Sequence, residues 1–331
     1  MSASRPLLRR LQMLCAALVA ITGSAAVQAA WIAREEAIMG TRCAVELWSI
    51  DAAAGEAAID AVFAEMRRID ALMSTYKADS EISRINAEAA KAPVQVSQEL
   101  FQLIADSLEY SRLSGGAFDI TYASVGYLYD FRNRQRPGDT AISAALPGVD
   151  FRQLQLDADD RTVAFARPGM RIDLGGIAKG HAVDRGIALL KERGITRAMV
   201  NAGGDTRVTG DRFGSPWVIG IRHPDRANEV VLRIPLVDAA FSTSGDYERY
   251  FDEGEVRYHH ILDPKTGRSP HELRSVTIIA DTALRTDGLS TTVFVLGAEE
   301  GLALIDRLQG VDAILIDAGG KVSYSKGLAP P

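Results

Sequence analysis

The segment Arg171–Gly180 (RIDLGGIAKG) places an acid, two adjacent glycines and a lysine in close succession. From Ile172 the pattern predicts a strand, a tight glycine turn and then a helix. The helix has Ala182, Val183, Ile187, Leu189 and Leu190 on its apolar face and ends at Gly194. Glycine lets a backbone approach a bulky anion, and a helix N-terminus points free amides at it. Lys179 would add a cation. Asp173, at the strand end, would offer a carboxylate to a ribose, a flavin or a metal. The same punctuation also serves plain strand-to-helix turns. It is neither the spaced G-x-G-x-x-G of nicotinamide enzymes nor a P-loop.

Asp287 and Thr291 stand four apart on a predicted helix, Asp287–Leu296, and so share a face. A carboxylate and a hydroxyl with backbone carbonyls nearby form the hard-oxygen environment magnesium prefers. An aspartate at a helix start also serves as a cap, and a threonine one turn on packs or back-bonds. In Phe241–Phe251 (FSTSGDYERYF), small hydroxyls crowd a glycine, fit for phosphate oxygens or for a tight turn. Tyr258–Pro270 (YHHILDPKTGRSP) carries His259 and His260 on a predicted strand, Tyr258–Leu262. Adjacent strand residues face opposite ways, so at most one histidine faces a given site. Tyr76–Asn86 and Gly115–Tyr129 add Tyr76, Asn86, Phe118 and Asp119; their aromatics suit ring stacking or an ordinary core.

These residues need elements to hold them. Thr41, Cys43, Val45 and Leu47 alternate with other residues at strand period. Ile59, Val62, Phe63, Met66, Ile69 and Met73 recur at helical period and predict a helix over Glu56–Met73. Ser97 caps a predicted helix with Leu100, Phe101, Ile104 and Leu108 on one face, ending at Gly115–Gly116. Residues 132–168 read as loops, one helical turn and a hairpin. Strands are expected at 198–201, 217–221, 230–237, 275–280 and 313–316, with a last helix over Glu299–Gln309. The mixed order predicts an α+β fold, with mostly antiparallel sheets and packed helices, rather than a doubly wound sheet.

The chain has 331 residues, enough for one domain or two interlocked lobes over residues 30–331. Arg5, Arg9 and Arg10 precede the short apolar run Leu11–Ile21, and Val27 and Ala29 suit a cleavage site. Residues 1–29 therefore read as a signal peptide, with a periplasmic product expected and an uncleaved anchor as the alternative. The formal net charge is −6, and removing the leader takes three arginines and no acid with it. An acidic chain is a poor binder of nucleic acid. Only Cys43 of the two cysteines lies beyond the leader, which excludes an internal disulfide and a thiolate metal site in the mature chain.

Taken in order, Met39-Gly40-Thr41, STYKADSEISRIN, GGAFDITYASVGYLYDF, RIDLGGIAKGHAVD, NAGGD, FSTSGDYERYF, HHILDPKTGRSP and SVTIIADTALRTDGLSTTVFVLG resemble the FAD:protein FMN transferase family, also known as ApbE. The resemblance implies an exported enzyme that moves FMN from FAD onto a threonine of an acceptor protein and releases AMP. The acceptor would be a flavoprotein subunit of a membrane electron-transport complex. It implies FAD contacts at Met39, Tyr76, Ala117, Phe118, Asp119, Asp173, Lys179 and Ile261, and Mg2+ at the Gly176 carbonyl, Asp287 and Thr291. His260 is the candidate base. His181, Gly288 and Thr292 depart from the family pattern, and Gly288 is expected to loosen the first turn of its helix. A FAD pyrophosphatase and a non-enzymatic flavin carrier remain alternatives.

Overall fold

The computed structural model describes residues 29–328 except 225, 227 and 228. The expected leader, Ala29 apart, lies outside these residues. Ala30–Ile38 (β1) and Thr41–Ser49 (β2) form a hairpin in which Cys43, Val45 and Leu47 turn fully inward. Ala52–Met73 (α1) starts earlier than its apolar period, because Asp51 caps the amides of Ala53 and Ala54. Ile59, Val62, Phe63, Met66 and Ile69 are wholly buried along it. Glu81–Glu88 (α2), the strand Val94–Gln95 (β3) and Gln98–Leu113 (α3) follow, the helices capped by Ser80 and Ser97. The stretch beyond holds the short helices Ala123–Gly126 (α4) and Asp139–Ala145 (α5) and the hairpin Leu154–Asp157 (β4) with Thr162–Phe165 (β5).

Ala178–Glu192 (α6) leads into the strands Ala198–Ala202 (β6), Asp205–Thr209 (β7), Trp217–Arg222 (β8), Val230–Leu236 (β9), Ala240–Gly245 (β10), Tyr250–Glu253 (β11), Val256–His259 (β12) and Leu273–Ala280 (β13). Ala283–Leu296 (α7), Ala298–Ile305 (α8), Asp312–Asp317 (β14) and Val322–Tyr324 (β15) complete the order. An eight-stranded sheet runs β1-β2-β6-β7-β10-β13-β14-β15, and each of its neighbours pairs antiparallel. Its apolar face and helices α1, α3 and α6 enclose the largest core, while α7 and β13 anchor a second. The α+β expectation holds.

Four expectations change. No strand precedes the glycine turn: Ile172 lies in extended chain whose amide and carbonyl both pair with the Asn86 side chain, at 2.7 and 2.9 Å. One side-chain amide thus does the work of a neighbouring strand. FSTSG is no turn but β10, near the middle of the sheet. The strand carrying the histidines ends at His259, so His260 and Ile261 lie beyond it. Asp287 falls in the second turn of α7, not at its start.

Candidate functional site

The site forms where α6, α7 and the β6–β7 hairpin meet. Gly180 lets the two helices touch: a Cβ there would lie 2.3 Å from the Ala283 carbonyl oxygen. No other residue type permits that approach. Contact at this point puts the Asp287 carboxylate on the Gly180 amide, Oδ2 accepting at 2.9 Å. The approach is locked by Asp184 on α6. Its carboxylate accepts from the Ala283 and Leu284 amides, both at 2.9 Å, and pairs with Arg207 of β7 at 2.7 Å. Thr282 gives α7 no side-chain cap, so Asp184 caps the helix from its neighbour.

Lys179 reaches into this junction. Its Nζ lies 2.7 Å from Asp205 Oδ2 and 3.5 Å from Asp287. Asp205 opens β7 directly after the Gly203–Gly204 turn, where Gly203 adopts a φ of 67°. Both aspartates are buried, at 3% exposure each. Burial pushes the Asp287 carboxyl up, and Asp205 adds to the rise while Lys179 opposes it. Lys179 stays charged because the two carboxylates outweigh its own desolvation and raise its pKa.

Thr291 sits one turn after Asp287. Its Oγ1 would lie 3.3 Å from a Cβ on Gly176, so Asp287, Thr291 and the glycine turn converge, with the Phe118 ring against Gly176 as well. Thr286, Ser290 and Thr292 return their hydroxyls to carbonyls of α7, at 3.1, 3.0 and 2.7 Å. Ser242 and Ser244 of β10 also bond to α7, through Thr286 and Ser290 at 2.7 and 2.8 Å. The two serines of FSTSG therefore fasten a helix to the sheet, and Thr243 bonds sideways to Thr277 of β13 at 2.9 Å, instead of facing phosphates. Gly288 makes room for the Tyr110 ring, 3.1 Å from where a Cβ would stand, and is packed rather than loose. His181 bonds Glu99 on α3 at 2.7 Å.

The remaining expected contacts divide. Asp173 accepts from Gly175 N at 2.6 Å, from Thr75 Oγ1 at 2.8 Å and from the Tyr122 hydroxyl at 3.3 Å, so its carboxylate shapes the glycine turn. Asp119 is buried and turned inward, accepting from Thr121 and from the Phe151 amide. Ala117, Phe118 and Ile261 are buried side chains. Tyr76 is the opposite, 91% exposed. Met39, with a φ of 54°, shares the β1–β2 turn with Gly40, beside an open cavity of about 400 Å³ that Arg67 and Asp70 also line.

His259 is structural: Nε2 meets the Pro270 carbonyl at 2.8 Å, the side chain is buried, and its pKa falls to about 4. His260 is half-buried, its amide held by the Arg249 carbonyl at 3.0 Å. Desolvation, then the charge of Arg249, pushes its imidazole down to about 3, so it is neutral at pH 7. Its Nδ1 meets no protein partner among the described residues. Arg249 also reaches the Gly40 carbonyl, at 3.5 Å. Asp205, Asp184 and Arg249 were missed as site residues, although all three lie inside the segments singled out in the sequence. Their roles depend on partners far along the chain.

A sequence profile of the ApbE family matches residues 39–315. A protein of Treponema pallidum named FAD:protein FMN transferase is 35% identical over 314 residues, covering 89% of this chain and 87% of its own length. One of the same name from Haemophilus influenzae is 34% identical, covering 77% of each chain. The crystal structure of the ApbE protein from Thermotoga maritima superposes with a TM-score of 0.84 at 33% identity, covering 90% of this chain and 98% of its own. The flavin transferase ApbE from Vibrio cholerae gives 0.81 at 29% identity, covering 90% and 98%. With segments and fold shared over most of its length, the chain belongs to the ApbE family.

Proposed function

We propose that this chain is a magnesium-dependent FAD:protein FMN transferase, acting on a threonine hydroxyl of an acceptor protein and releasing AMP. The observation that carries this reading is the convergence of Asp287, Thr291 and the Gly176 turn beside the Lys179 ammonium. Carboxylate, hydroxyl and backbone carbonyl are hard-oxygen donors of the kind magnesium takes. Two carboxylates face one ammonium, so the cluster has charge to spare for a cation. Among the described residues no group of three His, Cys, Asp or Glu gathers as a metal site, which fits a set with one carboxylate better than a zinc-type cage. Asp287, Thr291 and the Gly176 carbonyl would hold the ion. Bound there, magnesium supplies neutralisation of the diphosphate charge and polarisation of its phosphorus.

The protein's own part is positioning. Lys179 presents a fixed cation to the diphosphate, and the dipole of α6 adds partial positive charge at its N-terminal end. The exposed ring of Tyr76 offers a stacking face. His260, with Nδ1 unpartnered, accepts the proton of the acceptor hydroxyl as a weak base, so the diphosphate-neutralising charges carry most of the activation. The hydroxyl oxygen then bonds to the FMN-side phosphorus, and the bond from that phosphorus to the bridging oxygen breaks. AMP leaves with that oxygen as a stable anion, so positioning and charge outweigh acid catalysis.

Residues 1–29 direct export to the periplasm in this reading, and the acceptor is a flavoprotein subunit of a membrane electron-transport complex. Intact mass of the protein from a cell fractionation tests the first point. For the second, mature protein is mixed with FAD, magnesium and a candidate acceptor, the acceptor is weighed, and AMP is assayed. An FMN-sized gain with AMP supports transfer. AMP with free FMN and no gain shows a pyrophosphatase, and no AMP shows a carrier.

A further inference from the structure

Lys179 sits unevenly between its two carboxylates. Its Nζ is 2.7 Å from Asp205 and 3.5 Å from Asp287. Asp287 Oδ2 is also held by the Gly180 amide at 2.9 Å, whereas Oδ1 meets only the ammonium, at the longer distance. Asp205 belongs to a different element and is fixed independently. Its carbonyl accepts from Asn201 Nδ2 at 3.2 Å, and β7 is paired on both sides, Asp205 with Ala202 of β6 and with Ser242 of β10. Its side chain is 4% exposed, too enclosed to swing away. An ammonium on a flexible four-carbon stem takes the nearest strong acceptor. Nζ also donates to the Gly175 carbonyl at 3.4 Å, and without Asp205 the carboxylate left within its reach is that of Asp287.

We propose that Asp205 is a positioning residue that tethers Lys179 on the sheet side, leaving Asp287 an oxygen for the divalent cation. This inference rests on the magnesium reading of Asp287 given above. Two consequences follow from the geometry. The cation site is pre-formed without metal, because Lys179 already balances charge between the aspartates. Lys179 and the cation also do not compete, because their principal carboxylates differ.

The test is magnesium affinity, measured by titration calorimetry on mature protein free of flavin, with thermal melts to check folding. Asp205→Asn should weaken magnesium binding by about tenfold or more, as the released ammonium pairs with Asp287. Asp205→Asn/Lys179→Met should return it to within about threefold of wild type. Lys179→Met alone should stay within about threefold, because a tethered ammonium does not contest Asp287. If Asp205 acted only through its charge, Lys179→Met would tighten binding by as much as Asp205→Asn weakens it. That pattern overturns the proposal, and so does wild-type affinity in Asp205→Asn. Should Asp205→Asn fail to fold, Lys179→Met decides alone: unchanged affinity supports the tether, and about tenfold tightening refutes it. Wild-type protein with no saturable magnesium binding would remove the metal reading itself. Wild-type binding with insensitive variants removes only the role of Asp205.

Discussion

The inner and outer halves of the site obtain their partners differently. In the inner half, Asp184 and Asp287 accept from helix amides and Lys179 donates to Asp287, while Asp205 pairs with Lys179 by charge at 2.7 Å without a well-directed hydrogen bond. In the outer half, Tyr76 stands 91% exposed, His260 Nδ1 lacks a protein partner among the described residues, and Thr291 faces the glycine turn rather than a carbonyl of its own helix. Buried polar groups are as a rule satisfied within the fold, so the inner half is completed by folding in all but that one Asp205 oxygen. The outer half is completed by whatever binds. Changes within should therefore damage stability or metal binding, and changes without should damage flavin handling while sparing the fold.

Asp287→Ala gives the sharpest contrast. It should cut FMN transfer by about 10³-fold, because magnesium loses its one carboxylate. Steady-state transfer assays at the magnesium concentration that saturates the wild type read this, and a wild-type rate with a wild-type magnesium requirement would move Asp287 out of the ion's shell. Gly180→Ala attacks the inner half through packing alone. A Cβ 2.3 Å from a backbone oxygen forces α6 and α7 apart, at about 3 kcal/mol by urea unfolding. A silent Gly180→Ala would mean that the helices separate freely and that the inner half is not built by their contact.

His260→Asn belongs to the outer half. It should lower kcat by about 10²-fold with little change in the KM for FAD. Tyr76→Ala should raise the FAD KM by about tenfold, the worth of one stacked ring, with an unchanged melting temperature. A fall in that temperature would show the exposed ring to be structural.

A further effect concerns pH. Folding holds His259 and His260 to about 4 and about 3, while the unfolded chain takes those protons near the ordinary histidine value. The unfolded state then binds more protons below that value, so stability is complete above about pH 6.5 and declines as pH falls toward the folded values. Urea midpoints at pH 7 and pH 5 measure the slope, and His260→Asn should flatten it. For the same reason kcat should show no inflection near pH 6.5 from His260.

Much of this was legible along the chain. The periods of Ile59–Met73 and of Cys43–Leu47 gave a helix and a strand, and Ser97 gave a cap, because each depends on neighbours a few residues away. The glycine turn and the Asp287–Thr291 pair also fall where α6 and α7 meet. Other readings failed where the partner was distant. Ile172 has no strand beside it, since Asn86 supplies both hydrogen bonds. The serine hydroxyls of β10 resembled a ligand-binding turn, because α7, the element they bind, is 40 residues away and more. β1 is edge strand with charged Arg34, Glu35 and Glu36, so it lacks a strong apolar alternation.

The sequence by itself determined the local elements, the family resemblance and the residue types able to hold a diphosphate and a cation. The tertiary structure decided which acids matter together. Asp205 and Asp287 stand 82 positions apart, and only the crossing of α6 and α7 at Gly180, beside the β6–β7 hairpin, brings both to Lys179. Spacing along a chain encodes contacts within a helix turn or a strand pair. A charge shared between three elements is set by how their surfaces pack, and that information exists only once the chain has folded.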